Sequence, residues 1–392
     1  MSQVHAPIKE DFRLGDKRTK TLVSVIVIGL VTLFVTFLID PKRAWANVLL
    51  DNMYFIGIAV TAGFFLALQY VTKSSWSEVL RRIPEAITAF LPWGLLAMLL
   101  FIPGMPALYH WVDGVHHDGI LAQKAPYLNM TAYLVRMGIV FGGWIGLTRA
   151  LVANSHKEDE AGEAVCYKRN IRNSCLFIVF FAYSFSVASI DWLMSIDPHW
   201  YSTIYGVYSF SGAFVGAIAV IAVMVTVLKD LGFLTGVNEN HFHDLGKLMF
   251  AFSMFWAYIW FSQFLLIWYG NMPEETVYFH TRMTSDFDWL FYFNLFLNFV
   301  VPFFVLLPRG TKRNPAIIKR VAIALLIGHW LDLYVLIAPG ALGVQAHIGL
   351  PEVLITLGYA AAFILVVGKA LEKAPLVPMQ SPLMAESLAH HQ

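Results

Sequence analysis

The sequence predicts an all-α polytopic membrane protein with about ten transmembrane helices. Of its 392 residues, 58% are hydrophobic, against roughly 45–50% in a soluble chain. Only 14% are charged, against roughly 25% expected. Those charges gather between apolar runs, and a bilayer core of about 30 Å needs about 20 mainly apolar helical residues. Intrinsic disorder, a disulfide-stapled secreted fold and nucleic-acid binding are excluded for the chain as a whole. The net charge of +1 points to no acidic or basic partner. Cys166 and Cys175 share one polar connection, and there is no CxxC or CxxCH motif. The chain therefore offers no iron–sulfur ligand set, no covalent haem site and no standard metal spacing.

Ten runs qualify or nearly qualify as spans: 21–38, 49–70, 86–102, 129–151, 173–194, 203–228, 245–268, 289–307, 317–337 and 351–367. The third is the weakest, being short and carrying Pro92, which predicts a kink. Ala44-Trp45-Ala46 looks like a signal-peptide cleavage site, but Asp40, Lys42 and Arg43 intervene, so the first span is expected to be retained. The resulting organisation is an N-terminal segment 1–20, a transmembrane domain 21–370 and a tail 371–392. Residues 73–85 are expected as an interfacial helix. From Ala374 the tail carries Pro375, Pro378 and Pro382 without periodicity, so it is expected to be disordered or laid against a partner.

Basic residues set the orientation. The N-terminus, the even-numbered connections and the tail collect 22 of the 27 Lys and Arg; the opposite side collects Lys42, Arg43, Lys124 and Arg282. Arg136 lies inside a span. This split predicts that both termini are cytoplasmic. Spans 2–5 and 6–9 share one in/out order, and each block has its long outward loop after its second helix. Asp191-Trp192-Leu193-Met194 and His329-Trp330-Leu331-Asp332 then fall at matching places. The expectation is two four-helix bundles, within repeat-like halves of about 49–194 and 203–337, flanked by outer helices.

Ionisable groups in hydrocarbon cost about 2.5–3.5 kcal/mol on insertion scales, which makes them the best functional signal. Measured at about 1.5 Å per residue, Arg136 lies about 10 Å, Asp191 about 5 Å, His329 about 12 Å and Asp332 about 8 Å inside the outward ends of their helices. Gln263 sits at a similar level. His329 and Asp332, three residues apart, share one helix face. These groups predict an outward polar cleft able to exchange protons, while the inner half reads as almost uniformly apolar. The blander alternative is a structural pair, Arg136 with Asp191 or Asp332. Tyr201, Tyr205 and Tyr208 favour an interfacial aromatic belt over a ring-stacking pocket. The outward loops at 103–128 and 270–288 carry His110, His116, His117 and His280 beside Asp113, Asp118 and Asp286. Their spacing matches no standard metal site.

The fifteen residues from Ser189 to Thr203, SIDWLMSIDPHWYST, with ten spans and no cofactor ligands, resemble a known family. The chain looks like the second, smaller polysulfide-reductase-like integral membrane subunit of bacterial alternative complex III, a quinol:electron-acceptor oxidoreductase of the inner membrane. The matching polar positions are Asp191, Asp197 and His199; Arg136, Gln263, His329 and Asp332 come from depth alone. The resemblance implies a hetero-oligomeric respiratory complex. Its other members would be a larger homologous membrane subunit, haem c subunits and an iron–sulfur subunit that carry the electrons. This chain, non-catalytic alone, would contribute a periplasm-facing quinone-binding or proton-conducting cleft. The alternatives are a secondary transporter with an outward substrate cleft and a structural scaffold of the same complex.

Overall fold

The computed structural model describes residues 9–112, 119–161, 164–283 and 288–391. Among these there is no strand, and ten helices are long and apolar enough to cross a membrane. They are α1 (Asp16–Ile39), α2 (Pro41–Thr72), α3 (Arg82–Leu108), α4 (Met130–Ala161), α5 (Ala164–Trp192), α6 (Tyr205–Asp230) and α7 (Glu239–Gly270). After α8 (Pro273–Met283), a short amphipathic helix, come α9 (Asp288–Leu306), α10 (Pro315–Leu342) and α11 (Leu350–Leu371).

Local chemistry sets several helix ends. Asp40 caps α2 by accepting from the Arg43 N–H at 3.0 Å, with Pro41 in the first turn, where a missing N–H costs nothing. Asn314 and Pro315 open α10 in the same way. The helices α2 and α7 stop on Lys73 and Asn271, both left-handed at φ 51 and φ 45.

Prolines inside spans leave visible marks. Pro92 cannot donate to the Thr88 carbonyl, and α3 breaks into Arg82–Thr88 and Leu91–Phe101, joined by tight i→i−3 bonds at Ala89 and Phe90. Pro302 cannot donate to Asn298, and the turn before it, Phe296–Val300, widens to a π-helix.

The helix α2 lies at the centre and is buried on nearly every side, packing on α3, α5, α6 and α10. The helices α4 and α5 pack together, as do α6 with α7 and α10, and α9 with α7 and α10. The helix α1 lies outermost against α11. Their crossing is set by Gly29 and Gly358: a Cβ on Gly29 would stand 2.7 Å from the Gly358 Cα, a close approach typical of small residues between membrane helices.

Two expectations about the termini change. Residues 73–85 do not form an interfacial helix. They make a turn and one 3₁₀ segment, Glu78–Leu80, before α3 starts at Arg82, because Arg81 and Arg82 turn inward to buried carboxylates. The tail is ordered. It folds back on its own chain: Leu376 N–H donates to Glu10 O at 2.8 Å, Val79 N–H to Ser387 Oγ at 3.1 Å, and His390 Nε2 reaches Asp244 at 2.7 Å. The N-terminal segment meets the same end, where Leu14 N–H donates to Glu372 at 2.9 Å. That bond, with Lys369, holds the Glu372 carboxyl below its usual range.

Enlarging Gly29 should destabilise this arrangement. Gly29→Leu is expected to cost about 1–3 kcal/mol by overpacking and to lower the melting temperature in detergent. Gly138→Leu, where a Cβ meets nothing, should leave it unchanged.

Candidate functional site

Asp332 is the centre of the best-organised polar site. It projects from α10 and is 5% exposed. Tyr208 of α6 and the Asn294 amide of α9 (2.8 Å) donate to its Oδ1; the Trp256 indole of α7 donates to Oδ2 at 3.0 Å. Asn298, on the π-turn, extends the chain by donating to Asn294 at 2.6 Å. All these donors are neutral, and among the described residues no ion pair to Asp332 is present.

Two cavities touch this carboxylate. A central one of about 50 Å³ lies between α2, α5, α6 and α10, with Trp144 of α4 completing its wall; it is mostly apolar, with Ser189, Ser209, His329 and Asp332 among its polar lining. His329 is 3% exposed, and neither ring nitrogen has a hydrogen-bond partner among the described residues; Ser209 Oγ is likewise unpartnered. A Cβ on Gly212 would stand 3.2 Å from His329 Nδ1, so this glycine lets the imidazole lie flat against α6. The second cavity, about 20 Å³, lies toward the end carrying Asp197 and is lined by Tyr208, Gln263, Tyr278, Arg282 and Asp332 among aromatic rings. Gln263 Oε1 and the Tyr278 hydroxyl have no partner there.

The outer wall of this second cavity explains Arg282. Pro339 sits inside α10 and cannot bond the Val335 carbonyl. Arg282, from α8, supplies the missing donor: Nε to Val335 O at 3.0 Å and Nη2 to Leu336 O at 2.9 Å. The same Nη2 pairs with Asp197 at 3.1 Å. Asp197 fits only because position 340 is glycine, whose Cβ would meet both carboxylate oxygens at 2.9 Å. The guanidinium lies 3.5 Å over the Tyr278 ring, which stacks on Trp200 at 3.9 Å and 12°. Burial pushes the Tyr278 phenol up, against the opposing pull of Arg282, so the phenol stays neutral.

The sequence-derived residues therefore divide. His329, Asp332 and Gln263 meet around the two cavities, and Asp197 pairs with Arg282 on the wall of the outer one. Arg136 and Asp191 do not join them. Arg136 grips Asp191 with Nε at 2.6 Å and Nη2 at 3.2 Å and donates to Tyr127 O at 2.9 Å. Tyr127 lies 3.9 Å under the guanidinium, its phenol pushed up to about 12 by burial, with Asp191 adding and Arg136 opposing. Asp191 points to α4, whereas Ser189 and Trp192 face the central cavity. His199 is exposed at the outer end, as are His110 and His280. Asp113, His116, His117, Asp118 and Asp286 lie outside the described residues.

One further expectation is corrected. Tyr205 and Tyr208 are buried at 1% and 4%, not set in an aromatic belt, because their helix faces the protein interior; of the three, Tyr201 is exposed. Charged side chains beyond the inner ends of the expected spans are buried together. Sequence reasoning also missed Asp51. It is 1% exposed, and its Oδ1 accepts from Trp330 at 3.2 Å and Thr356 at 2.8 Å, while its Oδ2 has no partner. The span read as 49–70 put Asp51 at a membrane edge. The helix starts at Pro41, so ten residues precede it, about 15 Å.

No family model matches the chain, and no curated protein matches it at a significant level.

The repair of α10 can be measured by a double-mutant cycle. Arg282→Met should cost several kcal/mol of stability, since it strips donors from two carbonyls and leaves Asp197 without its cation. In a Pro339→Ala background, which restores the N–H for Val335, the same change should cost at least about 1 kcal/mol less. Strict additivity in the cycle would refute the repair.

Proposed function

We propose that the chain is a multi-pass membrane subunit of a respiratory quinol-oxidising complex of the bacterial inner membrane, and that it contributes a proton-conducting cleft centred on Asp332. The observation carrying this reading is that one buried carboxylate, held by neutral donors alone, borders two cavities. Gain or loss of a proton there breaks no ion pair, and the side chain can exchange with either cavity. His329 and Ser209, unpartnered in the central cavity, are the groups that would pass protons onward or hold the oxygen of a quinone or quinol ring.

The wider assignment rests on the resemblance of residues 189–203. It brings with it a larger homologous membrane subunit, haem c subunits and an iron–sulfur subunit as partners, with lipids around them. Electrons travel in those partners, because this sequence carries no motif for a carrier of its own. The basic-residue split supports cytoplasmic termini and a cleft facing the periplasm. The arrangement of spans 2–5 and 6–9 as two related four-helix bundles is supported by a correspondence of partners: the third helix of each block supplies a donor, Arg136 or Asn294, to an acid on the fourth, Asp191 or Asp332.

Purification from native membranes tests the assignment. The chain should come with haem-bearing proteins that give a reduced c-type spectrum; isolation alone, in active form, would favour the transporter reading. In the assembled complex, Asp332→Asn should lower quinol-dependent turnover or its accompanying proton release at least tenfold, and His329→Gln should lower it severalfold. Unchanged turnover and proton release in both variants would leave only the scaffold role.

A further inference from the structure

At the end that carries both termini, a separate set of charges is buried. Arg81 pairs with Glu78 at 2.5 Å, Glu158 at 3.4 Å and Glu85 at 3.6 Å; Arg82 pairs with Glu85 at 2.7 Å and with Asp159. Two guanidiniums thus face four carboxylates. The carboxylates outnumber the guanidiniums in a buried setting, where uncompensated charge is costly. Beside it lies a small cavity of about 10 Å³, room for about one water, lined on its polar side by Gln69, Tyr70, Ser77, Glu78, Arg81 and Tyr167. The hydroxyls of Tyr70 and Tyr167, residues only 3% and 8% exposed, have no partner among the described residues. A void with orphaned phenols beside charged groups is polar enough to hold ordered water.

This cavity and the central one are stacked along α2. Phe65 lines the first and Ile58 the second, seven residues or about 10 Å apart. Between them Phe64 packs on Phe181 at 5.0 Å and Phe181 on Phe177 at 5.8 Å, the latter two on the stretch of α5 between Phe185 of the central cavity and Tyr167 of the first. The one hydroxyl on this stretch of α2, Thr61, is engaged by Gly57 O at 2.7 Å and Ala213 O at 3.0 Å.

We propose that the cavity at Glu78, Tyr70 and Tyr167 is a water-filled proton chamber on the termini side, in series with the Asp332 cavities, and that the phenylalanine layer is the barrier between them. The inference rests on the proton reading of Asp332 for the far side of the barrier only. Protons held among the acidic groups cannot hop across apolar rings, so the two ends stay insulated until water enters.

The full chain, reconstituted in liposomes with a trapped pH dye and a valinomycin-imposed potassium potential, tests this. The unaltered protein should be tight. Phe64→Ala with Phe181→Ala should raise proton flux at least tenfold, and adding Glu78→Gln should bring it back toward the starting value. A double variant as tight as the parent, or a leak indifferent to Glu78→Gln, would overturn the chamber. A leak stopped by Glu78→Gln but not by Asp332→Asn would keep the chamber and remove Asp332 from the route. Radiolytic hydroxyl labelling of the unaltered protein needs no variant to fold: Tyr70 and Tyr167 should be labelled and Phe64 and Phe181 spared. Unlabelled tyrosines would refute the water.

Discussion

Hydrocarbon offers no hydrogen-bond partners, so a spanning helix can carry a proline or a carboxylate only where another part of the chain answers it. That constraint organises the interior of this protein. Pro339 opens the ladder of α10, and Arg282 reaches in from α8 to close it. Because the arginine is then held at the outer end of α10, Asp197 is drawn to it, Gly340 must lack a side chain, and Tyr278 becomes the plate between Arg282 and Trp200. Pro302 has a different outcome. No side chain repairs the carbonyl; the helix widens to a π-turn, which brings Asn294 and Asn298 into line with Asp332. Backbone defects in two helices thus build the walls around one carboxylate.

How much of this was legible depends on which signal carries it. Apolar runs and Pro92 are local, so the ten spans and the break in α3 could be read directly. Depth exposed His329 and Asp332, because few other residue types are costly enough in a span to draw notice. Asp51 escaped because depth is counted from a helix end, and Asp40, Lys42 and Arg43 disguised where α2 begins. Arg282 escaped for a related reason. In a connection it counted as a surface charge, and its role follows from a proline more than fifty residues away.

The tail and the termini-side charges were misread through the same assumption, that polar stretches face water. Residues 78–85 are polar because their partners are inside: Arg81 and Arg82 find carboxylates on α4. The proline-rich tail has no periodicity because it is pinned by scattered bonds to Glu10, Val79 and Asp244. Periodicity reports regular packing; irregular packing leaves no such trace.

The two acids near the outward ends of α5 and α10 differ in partner chemistry. Asp191 is held by a guanidinium through two bonds, so its charge is compensated at all times, and protonating it would leave Arg136 unpaired in a poorly solvated place. Asp332 is held by a phenol, an amide and an indole. None of these carries a charge that a proton on Asp332 would strand, and cavities border it on two sides. On the proposed reading, neutral donors in place of an arginine leave Asp332 able to change its charge where Asp191 is braced. Asp332 borders two cavities, and Asp191 lines neither of them.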